Sequence, residues 1–154
     1  LVQPAIDGFC ELLQSVLYQF NRLSGEEQTR QMLRRSNDEF PKVVDYLYDH
    51  FDEFKLLFTS GENNAYQEFI HRVVELDTGC TSQYIEASGN DAISSGRLTP
   101  ELNHLLSSAF YTGMFEVVIH NMPKEQAMKH IQKMRRFYTA GWQTIFSSNG
   151  GEDC

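Results

Sequence analysis

Two long stretches near the C-terminal end, Thr99 to His120 and Pro123 to Phe146, constrain the fold more than any other feature of the sequence. In the second, Ala127, Ile131, Met134, Tyr138, Gly141 and Ile145 follow one another at steps of four and three. That is the spacing of a helix packed lengthwise on other helices. Small residues sit within both stretches, Ala109 and Gly113 in the first, Ala140 and Gly141 in the second. The glycines cost helix propensity, and small side chains let neighbouring backbones approach closely. Only Asn121-Met122 separates the two stretches. The pair therefore reads as half of a four-helix interface between two copies, with the rest of the chain a helical body that it anchors.

A chain of 154 residues with 41% hydrophobic content can build one domain with a substantial core. Thirteen basic against 21 acidic residues leave a net charge of −8, so these residues by themselves are repelled by phosphate backbones. No apolar run approaches the roughly 20 residues that span a bilayer, and the first residues carry no signal-peptide pattern. The expectation is a soluble cytoplasmic protein without membrane contact. Cys10, Cys80 and Cys154 are odd in number and far apart, which suits reduced thiols better than a disulfide framework. The chain opens at Leu1 without a methionine and runs almost at once into helical periodicity. An N-terminal part of the natural protein is therefore expected ahead of it.

Ile6, Phe9, Leu13, Val16 and Phe20 recur at helical steps, with Cys10 and Leu17 widening the stripe, and predict an amphipathic helix up to about Asn21. Ser24-Gly25-Glu26-Glu27 reads as a stop and a capping box. The polar segment from Glu26 to Arg35 reads as a short exposed helix or a partly ordered loop. Asp38 is the next expected cap, with Pro41 in the first turn. Phe40, Val43, Val44, Leu47, Phe51, Phe54 and Phe58 hold one face through to Thr59, with a kink expected near Asp52. A turn at residues 60–64, a helix from Ala65 to about Ser88, and a loop marked by Gly89 and Gly96 follow. Thr99 should cap the next helix with Pro100 at its first position, and Pro123 should open the last in the same way. The fold class is all-α, a helical bundle of five or six helices over residues 1–146, with a disordered tail at 147–154.

Two Glu-x-x-His pairs, Glu68…His71 and Glu101…His104, have the spacing with which bundle proteins hold a di-metal centre. The helical wheel turns both toward solvent, so no metal site is expected. Asp77 falls on the inward side with Tyr66, Ile70, Val73, Cys80 and Tyr84, and Thr81 lies beside it. A buried carboxylate is costly unless paired or hydrogen-bonded. Asp77 should either bond a tyrosine hydroxyl or an arginine of another helix, or serve as a polar anchor in an apolar cavity. Glu116 and His120 lie on the side of Leu105, Ala109 and Gly113, where a contact with Arg135 would fix the register of the interface. No nucleophile is placed beside a base, no Gly-rich phosphate loop precedes a helix, and no Cys/His cluster has zinc spacing. No catalytic residue and no cofactor are expected.

The run Phe51-Asp52-Glu53-Phe54-Lys55-Leu56-Leu57, the segment Phe115-Glu116-Val117-Val118 with His120, the start Met122-Pro123-Lys124-Glu125, and the close Phe137-Tyr138-Thr139-Ala140-Gly141-Trp142 resemble the C-terminal domain of TetR/AcrR-type transcriptional regulators. Leu1-Val2-Gln3-Pro4 and the helix after it look like the segment that follows the DNA-binding module there. The resemblance implies an effector-sensing and dimerisation domain whose last two helices pair with their symmetry mates. It also implies a helix-turn-helix module of about 50 residues ahead of this chain, through which alone operator DNA would be met. The homodimer interface is expected to comprise Leu105, Ala109, Gly113, Glu116, His120, Ile131, Met134, Arg135, Tyr138, Gly141, Trp142 and Ile145. A small apolar or amphipathic effector should lie against Phe51, Tyr66, Asp77, Tyr84, Phe110 and Met114, a set that rests on the wheel alone. The competing readings are a stand-alone helical dimeric interaction module and a metal-dependent helical-bundle enzyme.

Overall fold

The periodicity just described is realised as helices throughout. The computed structural model describes residues 2–22, 27–28, 38–61 and 64–147. Its long helices are α1 (Gln3–Asn21), α2 (Pro41–Asp49), α3 (Phe51–Thr59), α4 (Ala65–Ser88), α5 (Pro100–Ile119) and α6 (Lys124–Phe146). There is no strand among the described residues. The expected capping box at Ser24, the polar segment to Arg35 and the tail beyond Ser147 lie outside them, Glu27, Gln28 and Ser147 apart.

Apolar residues of all six long helices meet in one core. Phe9 of α1 sits with its ring edge-to-face against Phe54 (5.7 Å), Phe69 (5.3 Å) and Phe115 (5.8 Å), one from each of α3, α4 and α5. Phe58 stacks on Phe115 at 4.8 Å. Such pairs add about 0.5–1.5 kcal/mol each beyond area burial. Ala127 and Ile131 bring the first half of α6 into the same core. A second, smaller cluster forms around Tyr84, Ile85, Ala92 and Leu98, with Phe20, Trp142 and Phe146 packed on it.

Polar contacts hold the α5–α6 turn to the body. Lys55 of α3 donates to the carbonyls of Val118 and Ile119, placing a cation where the α5 carbonyls end and the helix dipole is negative. The Tyr48 hydroxyl donates to the Met122 carbonyl at 2.6 Å. Asn121 turns the chain with φ 54°, a conformation that asparagine tolerates. At the other end, Asn90 Nδ2 donates to the Phe146 carbonyl (2.9 Å) and Arg97 Nε to that of Ile145 (2.7 Å), so the loop after α4 caps α6. Gly89, at φ 69°, supplies the left-handed turn that ends α4.

Local signals are met in most places and displaced in three. Thr99 Oγ1 accepts from Leu102 N–H at 3.1 Å and Pro100 opens α5. Pro123 stands one position earlier in its helix, as the N-cap of α6 rather than its first residue. The break between α2 and α3 falls at His50, with φ −117° and ψ 36°, not at Asp52. Asp38 accepts from Phe40 N–H at 3.1 Å, ahead of the helix, and Phe40 itself holds the N-cap position of α2.

Gly8 of α1 lies against the Tyr46 ring of α2. A Cβ there would lie 2.1 Å from the Tyr46 hydroxyl oxygen, which is itself bonded to the Ala5 carbonyl at 3.0 Å. Gly8→Ala should therefore destabilise the protein by about 1–3 kcal/mol, the usual cost of overpacking. Part of that loss should return in a Tyr46→Phe background, as a double-mutant cycle in urea denaturation would show.

Candidate functional site

Between the two apolar clusters the helices do not close on one another, and a cavity of about 460 Å³ remains, within the roughly 300–1,000 Å³ common for small-molecule sites. The C-terminal half of α1 contributes Val16, Leu17 and Phe20 to it, and α4 contributes Asp77, Cys80, Thr81 and Tyr84. Leu106, Ser107, Phe110 and Tyr111 come from α5, and Arg135, Tyr138, Thr139, Trp142 and Phe146 from α6. Asp38, Glu39 and Phe40, ahead of α2, complete one side.

Asp77 is the polar centre of this wall. Ser107 Oγ donates to its Oδ2 at 2.8 Å and Tyr111 donates to its Oδ1 at 3.1 Å. No cation among the described residues pairs with it. Burial pushes its carboxyl above the ordinary aspartate value, while the two hydroxyls pull the other way by favouring the charged form. The Tyr111 hydroxyl is held well above its usual range by burial and by the Asp77 charge. The Cys80 thiol is pushed up to about 12, first by burial and then by Asp77. It stays protonated at neutral pH and is a poor nucleophile.

Arg135 closes the wall toward α2. It forms an ion pair with Asp38, and its guanidinium lies 4.3 Å from the centre of the Phe40 ring, a cation–π geometry. Phe40 packs on Phe110 at 5.9 Å, and Phe110 on Tyr138 at 5.2 Å. A chain of contacts thus runs from the start of α2 across α5 to α6.

The six residues expected to meet an effector divide in two. Asp77, Tyr84 and Phe110 line the cavity. Phe51, Tyr66 and Met114 do not, because they pack at the aromatic end: Phe51 on Tyr48 (5.4 Å), Tyr66 on Phe58 (5.2 Å), and Met114 fully buried in the main core. Asp77 takes a tyrosine hydroxyl, one of the two arrangements expected for it, and also lines the cavity. Ser107, Tyr111 and Phe20 were not singled out from the sequence as cavity residues. Ser107 and Tyr111 lie one turn apart on α5, a spacing that carries meaning only once Asp77 has a place opposite them.

The residues expected at a dimer interface also divide. Tyr138, Trp142 and Arg135 face the cavity, and Ile131 is buried in the core of its own chain. Within one chain Glu116 and Arg135 do not pair with each other. Glu116 is exposed and pairs with His120 one turn on, at 2.7 Å, whereas Arg135 is drawn inward by Asp38 and Phe40. Leu105 (64% exposed) and Ala109 remain on the outer side of α5, and Phe137 (76%) and Gly141 on that of α6. Gly113 and Met134 meet between the two helices, and Ile145 is half-buried. Of the metal-spaced pairs, Glu68, His71, Glu101 and His104 are all exposed, and His71 pairs with Glu75 at 3.1 Å. No helix among the described residues is long and apolar enough to cross a membrane.

The Asp77 carboxyl fixes a pH dependence. Held above its unfolded value of 3.8, it binds its proton more tightly in the folded chain than in the unfolded one. Its contribution to stability is therefore present below that pH and lost as pH rises through the folded value. Asp77→Asn removes this loss, so the variant should gain on the parent from pH 4 to pH 8 in urea midpoints. A difference constant across that range would contradict the burial assigned to the carboxyl.

Compared with family models, with curated proteins and with solved structures, the chain matches none.

Proposed function

We propose that this chain is the effector-sensing and dimerisation domain of a TetR-like transcriptional regulator. The observation that carries the reading is the place of the cavity. One of its walls is the C-terminal half of α1, the first helix, and α1 is the element that would join the domain to DNA-reading heads. Filling the space with a small amphipathic molecule changes what α1 packs against. A molecule that binds one arrangement of α1 better than another shifts the population toward it, and the spacing of two heads would follow.

The α5–α6 pair supports the dimer half of the reading. Within its own chain α6 buries only Ala127 and Ile131 fully, out of 23 residues. Leu105, Ala109, Phe137 and Gly141 form an outer flank of large apolar and small residues on this antiparallel pair. A two-fold axis beside the flank would set the same four residues of a second copy against it, the self-complementary arrangement of a symmetric dimer. Contact with operator DNA falls to a helix-turn-helix module outside these residues.

Light scattering coupled to size exclusion tests the assembly. At tens of micromolar the chain should have twice its 17.8 kDa mass. Leu105→Glu with Phe137→Glu should halve it while leaving helical circular dichroism unchanged, because both side chains are largely exposed in the single chain. A monomeric parent would remove the dimer from the account.

A further inference from the structure

The chemistry of the cavity points to the charge of what it holds. Asp77 brings a carboxylate into an aromatic enclosure with Tyr84, Phe110, Tyr138 and Trp142 around it. Its only partners among the described residues are the Ser107 and Tyr111 hydroxyls, at 2.8 and 3.1 Å. These stabilise the charge but do not neutralise it. Among the described lining residues the cation is Arg135, and it is engaged by Asp38 and not by Asp77. An anion entering here would meet the Asp77 carboxylate, which has hydroxyl partners and no cation beside it among the described residues. An organic cation would supply the counter-charge that holds the Asp77 carboxyl ionised against the pull of burial toward its protonated form, and would also be drawn to the faces of the aromatic rings.

We infer that the cavity selects lipophilic organic monocations, with Asp77 as the counter-ion and the aromatic wall as the enclosure. This rests on the cavity being the effector site, as proposed above. Neutral amphipaths of the same size bind more weakly because they leave the carboxylate unpaired. Anions of the same shape are excluded by it.

Tetraphenylphosphonium and tetraphenylborate share one shape and carry opposite charges, and Trp142, the sole tryptophan, lines the cavity and reports on occupancy through its emission. The 154-residue chain is titrated with each ion, and the affinities are repeated by calorimetry. Tetraphenylphosphonium should bind saturably and at least tenfold more tightly than tetraphenylborate. Asp77→Asn, its folding checked by circular dichroism, should erase that preference by weakening the cation at least tenfold. The comparison of the two ions on the parent chain decides the matter even where the variant does not fold. Equal or tighter binding of tetraphenylborate would overturn the charge assignment while leaving the cavity as a ligand site. An Asp77→Asn variant that folds and keeps full cation affinity would overturn the role of Asp77. Failure of both ions to bind saturably would overturn the inference together with the sensing reading beneath it.

Discussion

The bundle depends on the edge-to-face packing around Phe9. Rings from α3, α4 and α5 converge on this one side chain, and aromatic contacts of this kind are both strong and particular about geometry. They draw four helices together at one end with little freedom to slide. Half-way along α4 the stripe that supplied Phe69, Ile70 and Val73 arrives at Asp77. A carboxylate cannot continue an apolar core, so its inward position is met by hydroxyls instead. The helices stand apart from there until the smaller cluster at Tyr84 and Phe146 gathers them again. The cavity is what lies between a firm aromatic end and a lighter clasp.

That arrangement divides stability from responsiveness. The aromatic end buries Phe9, Phe54, Phe69 and Phe115 completely, whereas the smaller clasp buries Tyr84, Ile85, Ala92 and Leu98 and leaves Phe20, Trp142 and Phe146 only partly buried, with a capping loop held by Asn90 and Arg97. Low local packing is where proteins open most readily. Helix α1 crosses both regions: Phe9 anchors it in the core, while Val16, Leu17 and Phe20 border the empty space. A helix fixed at one end and loosely packed at the other can transmit occupancy as a change in its own packing, and this is how the proposed sensing would work.

Periodicity made the helices and the class of fold legible, because a stripe of apolar residues at steps of three and four records one buried face whatever covers it. The same signal is silent on what the face is buried against. Met114 and Asp77 both point inward, yet one fills the core and the other lines the cavity, so the wheel groups Tyr84 and Phe110, which line it, with Phe51, Tyr66 and Met114, which do not. Tyr138 and Trp142 show the same silence from the other side: their seam spacing suits a contact between copies, and within one chain they line the cavity. The Arg135–Asp38 pair joins residues 97 positions apart, which no local spacing can show. The break at His50 lacks the proline or glycine that would have marked it.

The proposed sensing site depends on α4 and its neighbours enclosing real space at one end and none at the other, and two buried cysteines allow a matched comparison. Cys80 borders the cavity, and Cys10 lies in the closely packed core. Enlarging each to leucine and measuring unfolding in urea compares the same substitution in the two settings. Cys80→Leu should stay within about 1 kcal/mol of the parent because its added atoms enter the cavity, whereas Cys10→Leu should lose about 1–3 kcal/mol to overpacking. Equal losses at the two positions would mean that no such space exists, and the sensing site would go with it.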